Sequence, residues 1–315
     1  MTGFILRRLA QLIPVLLIAS FAIWAMIFAV PGGPVGMMVG ENAAAEEIAA
    51  ATRKLGLDRP IPVQYFNWLV NALRGDFGQS IHSHDPVTKL IGERLPATLQ
   101  LALVAILVAL VIGIPVAIAG AVKEGSWVDR LLNSWNALAL GVPTFWLGIL
   151  LILLFSVELR WLPSASRYIP LWEDPVQALR SLILPGLTLG LYVSGILARF
   201  LKASLVSEAR ADYVRTARAK GVSERHIVGY HIMQNALLPF ITIVGLMVAN
   251  FIGGAVVTEA VFTYPGLGRL LIQAISTRDY PLIQGCIVVI LVIYMAISLI
   301  VDILYAVIDP RIEYR

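Results

Sequence analysis

His82 and His84 flank Ser83, and an H-x-H pair of this kind can offer two imidazoles to a metal ion. No further Cys or His stands nearby, and we read the pair as two solvated histidines. Gly266-Leu-Gly268 has the start of a phosphate-binding turn, but it lacks a third glycine and opens no βαβ unit, so it reads as a plain turn. There is no Gly-x-x-x-x-Gly-Lys-Ser/Thr segment to cradle a nucleotide phosphate. No Ser, His and Asp fall where one face of a membrane could gather them. Cys286 is the sole cysteine, which excludes a disulfide within the chain and reads as a small apolar packing residue. Catalysis therefore has no visible machinery, and the chain is expected to be no enzyme and to bind no cofactor or metal.

The elements that carry these residues are set by composition. The chain is 58% hydrophobic and only 14% charged, whereas soluble domains are about 25% charged. Spanning helices need roughly 20 mainly apolar residues. Six runs lack Asp, Glu, Lys and Arg: Leu9–Val30, Leu95–Val122, Leu131–Val157, Ser181–Ala198, Ile232–Thr258 and Tyr280–Val301. In the fourth, Pro185, Gly186, Gly190 and Gly195 read as helix-packing sites. The first run is too long for the core of a secretory signal and ends in Pro31-Gly-Gly-Pro34, so it reads as a retained span. Ion-coupled carriers keep ionisable side chains at mid-membrane depth. Here Glu158, Glu259 and Asp302 all lie at run borders, so driving energy is expected to enter from outside the bilayer.

Six spans place both termini on one side. With the N-terminus inside, Arg7, Arg8, Lys123, Arg130 and the basic cluster from Arg199 to Arg225 are cytoplasmic. The short outer loops then hold only Arg160, Arg167, Arg180, Arg269 and Arg278, which satisfies the positive-inside rule. The net charge of +4 follows from this asymmetry and does not point to nucleic acid. In the outer segment 31–94, Ala43–Leu55 reads as a helix ended by Gly56. Val63–Leu73 reads as an amphipathic helix, either lying on the outer leaflet or packed in a small subdomain. Trp161, Tyr168 and Trp172 in the outer loop Glu158–Arg180 read as an aromatic belt. Along the fifth run, Met247, Asn250, Phe251 and Gly254 form one helical stripe. Asn250 is the amide in the middle of that run, and it needs water on a translocation path or an interhelical partner.

The cytoplasmic loop from Arg199 to His231 is far longer than the two to eight residues that join spans. Leu205–Lys220 fits one helix, with Tyr213, Val214 and Ala217 sharing a face and Arg210, Asp212, Arg215 and Arg218 around the rest. Gly221 suits a left-handed cap, and Ser223 can cap a following helix with Glu224 in its first turn. On pattern alone the segment is either a compact docking plug or a solvated basic loop.

Asp212-Tyr-Val-Arg-Thr-Ala-Arg-Ala-Lys-Gly221, followed by Asn235-Ala-Leu-Leu-Pro239, resembles the coupling loop of ABC importer permeases of the peptide/nickel branch, which serves dipeptides, oligopeptides, glutathione and nickel chelates. Leu55-Gly-Leu-Asp-Arg-Pro60 and Gly75-Asp-Phe-Gly-Gln-Ser80 resemble that branch's first outer segment. Phe262-Thr-Tyr-Pro-Gly-Leu-Gly-Arg-Leu-Leu271 with Arg278-Asp-Tyr-Pro281 resembles its last outer loop, and Val301-Asp-Ile-Leu-Tyr-Ala-Val-Ile-Asp-Pro-Arg311 its C-terminal end. The broader Glu-Ala-Ala pattern is replaced here by Arg215-Thr-Ala217 ahead of Gly221.

The resemblance implies an all-α membrane protein of the type I importer (MetI-like) permease fold, with an extra N-terminal span and a large periplasmic segment. Residues 1–30 would be a cytoplasmic lead and first helix, 31–94 the periplasmic segment, and 95–308 a five-helix permease core with coupling loop 204–236. Residues 309–315 would be a cytoplasmic tail. It further implies location in the bacterial inner membrane, a second homologous permease subunit, two cytoplasmic ATPase subunits that bind ATP and Mg, and a periplasmic or lipid-anchored substrate-binding protein. Asp212, Tyr213, Arg215, Thr216, Ala217, Arg218, Ala219, Lys220 and Gly221 would couple to the ATPases. Met247, Asn250, Phe251 and Gly254 would line the path, and Tyr264, Pro265, Arg278 and Asp279 would meet the binding protein. The competing reading is a self-sufficient secondary carrier or channel, against which the absent mid-membrane charges and the large loop both count.

Overall fold

The computed structural model describes residues 2–29, 35, 44–54 and 57–308. Pro31–Pro34, Leu55 with Gly56, and the C-terminal residues 309–315 lie outside the described residues. The fold is helical throughout, and among the described residues the single β-bridge joins Gln79 and Pro86. The helices are α1 (Thr2–Ala25), α2 (Ala45–Lys54), α3 (Ile61–Leu73), α4 (Val87–Val122), α5 (Trp127–Gly141), α6 (Thr144–Leu151), α7 (Pro175–Ala209), α8 (Asp212–Ala219), α9 (Met233–Val261), α10 (Leu267–Thr277) and α11 (Tyr280–Ile308). A π-helical stretch, Ile152–Glu158, prolongs α6, and another, Ile227–Ile232, leads into α9.

Among the described residues five helices are long and apolar enough to cross a bilayer, and the bent pair α5 and α6 makes a sixth if it is counted as one broken span. The break corrects the expectation of one continuous helix over Leu131–Val157: α5 and α6 meet at 99°. Pro143 has no N–H, and its ring forces the preceding residue out of the helical region. Val142 accordingly sits extended at φ −86° and ψ 123°, and Pro143 takes the cap position of α6. The fourth span is longer than its uncharged run. Asp174 starts α7 by accepting from the Gln177 N–H at 3.0 Å, and the helix continues to Ala209.

Contacts group the chain into two compact units that cut across the linear order. One joins residues 96–269 with 294–308. Its core gathers Leu101 and Ala105 of α4, Leu182, Leu189, Leu197 and Leu201 of α7, and Phe240, Phe251 and Ala255 of α9. α7 is its most enclosed span, with 72% of its apolar window buried. Small residues make that possible: a Cβ on Gly190 would come within 2.9 Å of the Ala105 carbonyl, and one on Gly195 within 3.1 Å of Ala139 Cβ. Helices in lipid approach closely where such residues face each other.

The other unit joins residues 2–95 with 270–293. Here α3 packs on α1. Tyr65 meets Phe21 edge-on at 5.2 Å and shares a 2.7 Å hydrogen bond with Ser20, while Phe66 and Leu73 stay exposed. Gln284 of α11 donates to the Trp24 carbonyl at 3.2 Å. The His82 ring lies 2.6 Å from the Thr277 carbonyl, while His84 takes a positive φ of 59°.

Candidate functional site

The segment between the fourth and fifth spans is built differently from the single helix expected over Leu205–Lys220. α7 ends at Ala209, Ala211 turns extended (ψ 149°), and α8 starts afresh at Asp212. Asp212 stands in its first turn and Arg218 in its last, each favoured by the helix dipole. Val214 has no exposed surface and keys α8 into the core, and Ala217 packs half-buried beside it. Asp212, Arg215, Thr216, Ala219 and Lys220 face outward. Gly221 closes the helix in the left-handed region at φ +78°, so its N–H reaches the Arg218 carbonyl (3.0 Å) and the Val222 N–H reaches Ala217 (3.2 Å).

Ser223 occupies the next cap position, but its hydroxyl makes no capping bond. Glu224 is drawn away by Arg218, whose Nε donates to it at 2.7 Å. That charge-assisted bond lowers the Glu224 pKa and raises that of Arg218. The pair staples the two arms of the segment on its exposed side.

A buried ion pair stiffens the base of the segment. Lys202 of α7 donates to Asp129 of α5 and, at 3.2 Å, to Asn133. Asp129 also receives the Gly125 N–H at 3.1 Å. The Asp129 side chain is 9% exposed and that of Lys202 18%. Neither residue stood out in the sequence.

Farther along the same unit, a groove of about 720 Å³ opens between the α5–α6 break, α7 and α9. Met247, Asn250, Phe251 and Gly254 all line it, opposite Val142, Thr144 and Tyr192. No Asp, Glu, Lys or Arg lines it. Asn250 donates to the Leu246 carbonyl of its own helix at 2.9 Å and makes no interhelical bond. Phe251 is nearly enclosed by the core, so Asn250 and Gly254 offer the accessible part of the stripe.

Glu259 was expected at a run border, but it is wholly buried. It accepts from Thr98 Oγ1 at 2.6 Å and the Arg269 N–H at 3.0 Å, holding the turn after α9 against α4. Gly266 packs on this carboxylate so closely that a Cβ would collide with it. The motif Glu259-x6-Gly266-x-Gly268 carried that signal, since glycines near an acid can mark close approach.

The expected docking residues divide. Tyr264 has no exposed surface, and burial raises the pKa of its phenol. Asp279 is 1% exposed and accepts from Ser80 Oγ at 2.5 Å and the Ile81 N–H at 3.2 Å. Neither presents a side chain outward, whereas Pro265 is half-buried and Arg278 exposed. Among the described residues no group of three His, Cys, Asp or Glu side chains could hold a metal ion.

A multi-pass helical bundle with an uncharged groove and a helical segment keyed between two spans is an architecture suited to moving a solute across a membrane. The fold agrees: 70% of this chain superposes on 96% of the permease chain of an inward-facing MetNI methionine ABC transporter, at TM-score 0.59 and 18% identity. The chain belongs to the family described as binding-protein-dependent transport system inner membrane component, which it matches over residues 109–314, and residues 1–102 match that family's N-terminal region. A protein of Brucella abortus named as a peptide transport system permease is 42% identical over 314 residues, covering all of both chains. The glutathione transport system permease protein of Salmonella typhimurium is 40% identical over 315 residues, again covering both chains completely. The protein is thus a multi-pass inner-membrane permease subunit of an ABC importer.

Proposed function

We propose that this permease forms half of an ATP-driven import path for peptides or a related small solute such as glutathione. A second permease supplies the other half. Two cytoplasmic ATPase subunits bind ATP and Mg and hydrolyse the nucleotide, and a binding protein delivers the solute. The observation that carries this reading is the two-faced α8. Val214 and Ala217 lock into the permease core, while Asp212, Arg215, Thr216, Ala219 and Lys220 point away from it. A segment so divided can pass a push from an outside partner into the spans, and a mere linker needs neither face.

The names of the relatives from Brucella and Salmonella support the solute class. The uncharged groove suits a solute whose own charges vary, since it sets no fixed charge against either sign. Closure of the ATPases would push the segment, tilt α7 and α9, and shift the access of the groove from one side to the other. Both termini and α8 lie in the cytoplasm, and Arg278 with Pro265 faces the binding protein.

The test is reconstitution in liposomes with a labelled dipeptide and glutathione as probes. The full complex should take up at least one of them with external binding protein and internal ATP. ATP hydrolysis or gradient-driven uptake by the purified chain alone would refute the reading.

A further inference from the structure

The cytoplasmic segment meets the spans at few polar points, and several share one atom. The Tyr213 hydroxyl donates to Glu208 Oε2 at 2.7 Å and accepts from Asn235 Nδ2 at 3.1 Å. Glu208 lies in the last turn of α7 and Asn235 in the first turn of α9. Asn235 also donates to the His231 carbonyl, at 3.2 Å, in the π-helical lead into α9. Tyr213 stands 3.4 Å from that same carbonyl, but its single proton goes to the nearer carboxylate. The end of one span, the start of the next and the helix between them therefore converge on one oxygen. Burial first, and then the bond to Glu208, raises the pKa of the phenol above its ordinary value.

The opposite side of the segment is open. A cavity of about 640 Å³ lies among Arg218 and Glu224, Ile118 and Val122 of α4, and Leu205 of α7. α8 is thus tethered at Tyr213, has room to move at Arg218, and is bounded by the extended Ala211 and the left-handed Gly221.

We propose that the Tyr213 hydroxyl is the pin that makes α7 and α9 follow α8 together, a positioning role in the transport cycle that rests on the coupling reading above. Val214 then holds α8 in place, and Tyr213 passes its motion on. The hydroxyl is the whole device, because Tyr213→Phe would keep the ring and lose both bonds.

The test uses the assembled complex with Cys286→Ala and a reporter, Gly253→Cys. That position lines the groove, and no atom stands within 4 Å of where its Cβ would be. The readout is the change in maleimide labelling between the resting and the ATP–vanadate state, divided by the ATP hydrolysis rate of the same preparation. Subunit content is measured by pull-down. Tyr213→Phe should lower this ratio by about fivefold or more, the lower bound of typical allosteric coupling factors. Glu208→Gln, which keeps an acceptor for the hydroxyl, should retain most of it. Adding Asn235→Ala to Tyr213→Phe should cost less than Asn235→Ala costs alone, because the bond the two side chains share is already lost and only the Asn235–His231 contact remains to be removed. An unchanged ratio in Tyr213→Phe would overturn the pin while leaving the coupling reading intact. Loss of bound ATPase would make Tyr213 a docking residue, and would overturn the pin as well. No nucleotide-dependent labelling in the unsubstituted complex would refute the coupling reading, and the pin with it.

Discussion

Gly221→Val isolates one contribution to coupling. Gly221 holds φ at +78°, and no heavy atom lies within 4 Å of the place a Cβ would take. A new side chain therefore meets no steric wall, and its whole effect is on the backbone. A residue with a Cβ loses roughly 1–2 kcal/mol in the left-handed region, and a β-branched one stands at the upper end. Two backbone bonds depend on that conformation, Gly221 N–H to Arg218 and Val222 N–H to Ala217. The Arg218–Glu224 pair is exposed and screened by solvent, so it adds little to hold the turn. A loss of about 1.4 kcal/mol raises the open population about tenfold. Hydrogen–deuterium exchange of a peptide covering residues 212–226 should accelerate by that factor in Gly221→Val. Gly221→Asn should exchange much nearer the native rate, since Asn enters this region readily. Uptake per ATP hydrolysed should fall in the order Gly, Asn, Val. Unchanged exchange in Gly221→Val, or equal acceleration in both variants, would refute the reasoning, because either result would mean that the left-handed cap does not hold the segment.

Lys202→Met leaves the Asp129 carboxylate without its cation and should lower the thermal stability of the purified subunit, softened by the bonds Asp129 keeps to Gly125 and Asn133; Lys202→Met with Asp129→Leu should regain most of this in a thermal melt. Ala217→Glu places a charge against the half-buried contact of α8 and should leave the chain inserted in the membrane while abolishing uptake, as checked by fractionation beside transport. Cysteines at Met247, Asn250 and Gly254 should react with an aqueous thiol reagent, whereas one at the enclosed Ala255 should not; uniform protection would remove the groove from the path. Arg278→Glu should weaken stimulation of ATP hydrolysis by the binding protein, whereas Asp279→Asn should act through the Ser80 contact, lowering the thermal stability of the subunit.

Helical class, the long apolar helices and the shared face of Met247, Asn250, Phe251 and Gly254 were legible because a bilayer demands long apolar runs and a helix repeats every 3.6 residues. The left-handed Gly221 was legible too, since few residues tolerate that conformation. The break at Ala211 was not, because Ala and Arg favour helix locally, and only the contacts of Tyr213 and Val214 with the rest of the unit set the turn. The bend at Pro143 was visible in principle, but uncharged composition on both sides made the run look continuous. Buried Glu259 and the Lys202–Asp129 pair escaped because their partners lie more than seventy residues away in the chain. Tyr264 and Asp279 looked like surface groups because they sit in loops of polar and turn-forming residues.

The bend in the third span has a consequence for hydration. Pro143 offers no N–H, so the Ala139 carbonyl lacks its helical donor, and the 99° turn takes the neighbouring carbonyls out of line. Hydrocarbon cannot satisfy such groups. Leu140, Gly141 and Val142 line the groove, so polar partners for their main chain come from its side. The bent span therefore turns part of the groove wall into main-chain polar surface, open to solvent or to a solute's own donors.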